Sequence, residues 1–154
     1  ADHSVNILEA AEEMRRKGIV FSPAAQGEYA VMAAAVREVT ALAYDAFVTG
    51  DLSAAKQVEP LEQVIDDLKE EMRTRHIRRM QQGSCGIEAG FIWSDLLTDL
   101  ERVSDHCSNI ACCMIEGVDH NLHRHEVLQS IRGSGEEFDQ TYRFFRGKYM
   151  LAGE

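Results

Sequence analysis

Leu61-Glu62-Gln63-Val64-Ile65-Asp66-Asp67-Leu68-Lys69-Glu70-Glu71-Met72 decides the fold class. Leu61, Ile65, Leu68 and Met72 recur at helical spacing, with charged residues between them. At about 100° per residue they form one apolar stripe on an amphipathic helix. The helical pattern extends outward from about Leu52 to Gln82, continues the stripe to Met80, and contains Pro60 as a potential kink. Acidic residues crowd its first half, and Arg73, Arg75, Arg78 and Arg79 its end, where cations oppose the helix dipole. His76 lies among those arginines, which suits a terminus-capping role.

Upstream, Ser22-Pro23 reads as an N-cap followed by proline at the first helical position. The helix it opens runs to about Val48, with Tyr29, Met32, Ala33, Val36, Ala43 and Phe47 as its core stripe. Before it, a helix from about Ser4 to Lys17 closes at Gly18. Downstream, a helix from about Ile87 to Glu116 carries Leu96, Leu100, Val103, Cys107, Ile110, Ala111 and Met114 on its inner face. A break centred on Gly117, a His-rich stretch and a last helix broken around Gly133-Ser134-Gly135 complete the chain. That last helix carries Phe138, Tyr142, Phe145 and Tyr149. Strict apolar alternation is absent, so the fold class is all-α: a bundle of four or five antiparallel helices.

The chain has 154 residues, 27% of them charged, and a net charge of −10. So acidic a surface repels phosphate backbones and argues against a nucleic-acid partner. No apolar run approaches the ~20 residues of a membrane span, and no basic leader precedes an apolar stretch. Cys85, Cys107, Cys112 and Cys113 show no disulfide or zinc spacing. They fit a reducing cytoplasmic setting and read as small buried hydrophobes.

Asp2-His3-Ser4-Val5-Asn6-Ile7 recurs as Asp105-His106-Cys107-Ser108-Asn109-Ile110. Repetition at about a hundred residues indicates a duplicated bundle. The expected organisation is therefore a terminal helix of a preceding repeat (1–17), one full helical repeat (18–120) and a helical extension (121–154). On this reading the chain opens inside a motif, as a fragment of a longer protein.

Glu62 and Asp66 on one helix, and Glu101 and Asp105 on the next, share the Glu-x-x-x-Asp spacing. Each pair places two carboxylates on one helix face, about 5–6 Å apart. Two such pairs brought together offer hard oxygen donors to iron, zinc or magnesium. Projected around their helices, Glu101 and Asp105 lie away from the apolar stripe and Glu62 and Asp66 at its flank. The pairs are thus expected at or near the bundle surface. A single such pair is ordinarily a solvated face; two on neighbouring helices, beside the repeated motif, strengthen the metal-ligand reading beside that one. His3 and His106 follow the repeated aspartates and are candidates to orient carboxylates or bind metal. His120, His123 and His125 read as a solvated cluster. No phosphate-binding loop, nucleophile elbow or Cys/His catalytic pair is apparent.

The motif at 1–7, residues 62–68, His76-Ile77-Arg78-Arg79-Met80 and residues 100–111 together resemble the PhoU family. They are most similar to the PhoU-like domain that follows the membrane domain of bacterial sodium-dependent phosphate cotransporters. The resemblance implies two three-helix repeats and a surface cluster of iron or zinc, with Glu62, Asp66, Glu101 and Asp105 as ligands and Asp2 belonging to the other repeat's site. It implies a regulatory, non-enzymatic cytoplasmic domain of a membrane protein. Its partner would be the transporter's own membrane domain or a separate phosphate transporter; a homodimer is compatible with the long helical faces. Two alternatives stand beside it. One is a free-standing PhoU-type regulator of a phosphate ABC transporter. The other is a four-helix-bundle metal enzyme, which the lack of any Glu-x-x-His disfavours.

Overall fold

The computed structural model describes residues 2–118, 131 and 135–153. Among them are five helices and no strand: α1 (Asp2–Lys17), α2 (Pro23–Thr49), α3 (Leu52–Gln81), α4 (Ile87–Val118) and α5 (Glu136–Lys148). No described helix is long and apolar enough to cross a membrane.

Local chemistry sets the helix ends. The Ser22 side chain accepts from the Ala25 N–H, with Pro23 in the first turn of α2. Gly50, at φ +70°, closes α2 in the left-handed conformation that side chains disfavour. Asp51 then accepts from the backbone N–H groups of Ser53 and Ala54 and starts α3. Pro60 is buried within α3, which continues through it. Gly117 lies in the last described turn of α4.

The core lies where α2, α3 and α4 meet. Met32, Val39, Leu61, Ile65, Leu68, Met72, Trp93 and Leu97 are almost completely enclosed there. Each such side chain contributes roughly 1.5–3 kcal/mol of burial. α3 packs against α2, α4 and α5, whereas α1 packs on α4 alone among the described helices. The contacts Glu59–Ser108, Lys69–Glu101 and His76–Trp93 descend α3 as they climb α4, so these two helices are antiparallel. His3–Asp99 and Lys17–Glu88 show the same for α1 and α4.

α5 runs parallel to α3, as alternating antiparallel helices require: Tyr142–Asp67 and Arg146–Glu71 ascend both helices together. Several other expectations fail on packing. Phe47, assigned to the α2 stripe, is 66% exposed; Met80 and Ile110 are also exposed. Cys107 and Cys112 are buried as expected, but Cys113 is exposed, its neighbour having taken the inward position. His76 does not cap α3. It is buried and its ring lies 6.0 Å from that of Trp93. His120, His123 and His125 lie outside the described residues.

Candidate functional site

The sequence-predicted carboxylates occupy the α3–α4 seam. α3 contributes Glu59, Glu62, Asp66 and Lys69; α4 contributes Glu101, Ser104, Asp105 and Ser108. Glu62 is buried, not placed at a solvated flank. The helical projection placed it by distance from one apolar stripe, but α3 is covered from three sides, so its flanking polar positions are enclosed too. Asp66, Glu101 and Asp105 are partly buried.

These groups crowd one another. Burial, then the neighbouring Glu101, Asp105 and Asp67, push the Asp66 carboxyl above its usual range, against the opposing pull of Lys69. Burial and Glu101 do the same to Asp105, opposed by Arg102, Lys69 and His106. Both shifts have the sign of carboxylates short of positive charge. Lys69 is placed on Glu101, Nζ to Oε1 3.1 Å, with both side chains mostly enclosed. The structure therefore brings Asp66, Glu101 and Asp105 within electrostatic reach, with Glu62 on the same face of α3. It does not close a cage: no group of three or more His, Cys, Asp or Glu among the described residues is arranged to hold a metal ion.

Sequence reasoning missed Glu59. It is 2% exposed and its Oε2 accepts the Ser108 hydroxyl at 2.6 Å. The signal was present: Glu59, Glu62 and Asp66 follow helical spacing, so the carboxylate row begins one turn earlier.

The repeated motif also joins two helices. His3 Nδ1 lies 2.8 Å from Asp99 Oδ1, and Asn6 Nδ2 donates to the same oxygen at 3.0 Å. His3 and His106, equivalent positions of the two copies, face each other with ring centroids 5.4 Å apart. The His and Asn of the first copy thus clasp α1 onto α4, while Asp2 is exposed.

A second unforeseen cluster lies where α2 begins and α3 ends. Arg79 Nη1 and Nη2 donate to the two Glu28 oxygens, both at 2.8 Å, and Arg75 approaches Glu28 at 3.6 Å. The Arg79 guanidinium also lies over the Trp93 ring, 5.7 Å from its centroid. Arg79 is thereby committed to Glu28 and Trp93 rather than to a helix dipole.

A PhoU domain family model matches residues 30–114, more than half of the chain and the whole α3–α4 seam. Among curated proteins, the chain is 27% identical over 97 residues to "Phosphate-specific transport system accessory protein PhoU homolog 1" of Thermotoga maritima. That alignment covers 63% of this chain and 41% of the relative, so the chain spans about two fifths of the relative's length. No solved structure matches. With an all-α bundle over the matched span, the chain belongs to the PhoU family.

Proposed function

We propose that this chain is a regulatory module of phosphate transport whose α3–α4 carboxylates take up iron or zinc. The observation that carries the metal reading is the under-neutralised carboxylate set itself. Asp66 and Asp105 are raised by burial and by Glu101, opposed by Lys69 and, at Asp105, by Arg102, while Lys69 is already paired with Glu101. The donors are all oxygen, which suits a hard or borderline cation, and a cation would relieve the repulsion that now raises these carboxyls. It would compete with Lys69 for Glu101. Glu62, Asp66, Glu101 and Asp105 are the proposed ligands; Glu59, held by Ser108, backs them from below.

The test is elemental analysis of tag-free protein beside an Asp66→Ala, Asp105→Ala double variant. Near-stoichiometric iron or zinc in the parent, lost in the variant, supports the cluster. Metal absent from both after loading refutes it.

The transport role rests on family membership. The proposed setting is a cytoplasmic domain serving a sodium-dependent phosphate cotransporter. The relative's name favours the alternative, since it places that protein with a phosphate-specific transport system. Phosphate uptake in cells whose copy of this domain is deleted separates them. An effect confined to sodium medium supports the cotransporter; an equal effect in potassium medium supports the alternative; unchanged uptake in both refutes a regulatory role.

A further inference from the structure

The turn joining α3 to α4 carries chemistry that a phosphate-transport role does not use. Gly83 closes α3 at φ +70°, and the Ser84 N–H and hydroxyl both donate to the Arg79 carbonyl, at 3.0 and 2.9 Å. This folds the chain back so that Cys85 stands just ahead of the first turn of α4. The N–H groups of that turn that lack an intrahelical partner place partial positive charge near the sulfur.

Cys85 Sγ lies 3.9 Å from Nδ1 of His76. His76 is 7% exposed and its Nε2 is buried without a hydrogen-bond partner. Its Nε2 side is packed on Gly90, where an added Cβ would stand 3.0 Å away, so the ring is held in place. Burial and the Arg79 charge lower the His76 pKa, against a smaller opposing effect of Glu28. A neutral imidazole is thus available to take a proton at Nδ1. Cys85, His76, Arg79 and Trp93 share the wall of a cavity of about 90 Å³. Trp93 Nε1 is likewise buried without a partner.

We propose that Cys85 is a peroxide-reactive thiol, with His76 as its base and the adjoining cavity as the pocket for a small hydroperoxide. His76 Nδ1 takes the thiol proton. The sulfur attacks one oxygen of hydrogen peroxide; the S–O bond forms as the O–O bond breaks. The departing hydroxide recovers the proton from His76 and leaves as water. Sulfur is oxidised by two electrons to the sulfenic acid and the peroxide is reduced. Cys85 is partly exposed and reachable, whereas Cys107 and Cys112 are buried. Cys113 is more exposed than Cys85 and serves as the internal reference.

The reduced wild-type chain is treated with hydrogen peroxide, sulfenic acid is trapped with dimedone, and labelling at each cysteine is followed by peptide mass spectrometry. Cys85 is expected to label about tenfold faster than Cys113 despite its lower exposure. Labelling of Cys113 as fast as Cys85 overturns the proposal. In His76→Gln, Cys85 is expected to fall to the rate of Cys113 while Cys113 is unchanged; an undiminished Cys85 rate in a folded variant also overturns it. Circular dichroism checks folding, and if His76→Gln does not fold, the wild-type ratio alone decides.

Discussion

Glu28→Gln keeps side-chain volume and removes one charge from a pair that is almost dry. Glu28 and Arg79 side chains are 4% and 11% exposed, and their two contacts are both 2.8 Å. Glu28 also faces Arg75 at 3.6 Å, so the variant leaves two guanidinium groups close together with one carboxylate fewer. Removing one member of a buried pair costs about 3–5 kcal/mol, because the other charge remains desolvated. Arg75 retains Glu71 at 2.7 Å and both arginines keep some contact with water, which places the expected loss near the lower bound, about 3 kcal/mol. For a chain of this size that corresponds to a fall of roughly 6–12 °C in Tm. Urea unfolding at pH 7, followed by circular dichroism, reads the loss directly as a lower midpoint at unchanged slope. A loss under about 1 kcal/mol would show that the pair behaves as an exposed one and refute the reasoning. The double variant Glu28→Leu, Arg79→Leu should recover much of the loss, since no charge of the pair then stays behind.

Asp66→Asn should stabilise the metal-free protein at neutral pH. Burial and Glu101 raise the native carboxyl, so its ionised form costs the folded state in full above the native pKa. The cost, and the variant's advantage, should fade as pH falls toward the unfolded value near ~3.9, read as converging urea midpoints; a variant less stable at pH 7 would contradict this. Met32→Ala, at a fully buried position, should lose about 2–5 kcal/mol, whereas Phe47→Ser should stay within about 0.5 kcal/mol. Equal losses in the two would contradict the burial pattern. Gly90→Ala places a methyl 3.0 Å from His76 Nε2 and 3.2 Å from Met80 Sδ. It should cost about 1–3 kcal/mol in thermal or urea unfolding, despite the better helix propensity of alanine; a more stable variant would show that the ring has room to move.

Helix ends were legible because they are local. Ser22-Pro23, Gly50-Asp51 and Gly18 carry the required capping chemistry within a few residues, and the boundaries fall beside them. Buried stripes were legible where apolar and polar residues alternate sharply, as from Leu61 to Met72. They were not in α2, whose alanines give little contrast; there Phe47 was assigned inward by size and spacing, yet it is exposed. Spacing placed the four carboxylates on neighbouring helices, but the burial of Glu62 was misjudged. His76 was misread for the same reason: among arginines it looked like a helix-end cap, while α4 covers it with Trp93 and Gly90.

A polar row can persist along the α3–α4 seam because the apolar positions on the same helices already hold them together. Leu61, Ile65, Leu68 and Met72 face the core, as does Leu97 on α4, so the register of the pair does not depend on its charged residues. The seam is then free to carry unlike chemistry at its two ends. Glu59 to Lys69 meet Glu101 to Ser108 at one end, where like charges crowd and a cation would be welcome. His76 meets Trp93 and Cys85 at the other, beside the turn, where a thiol stands next to an enclosed base. Because the helices are antiparallel, the acidic end lies far along both helices from that turn. Substitution at either end should therefore leave the chemistry of the other intact, and the metal content of a Cys85→Ser variant should equal that of the parent.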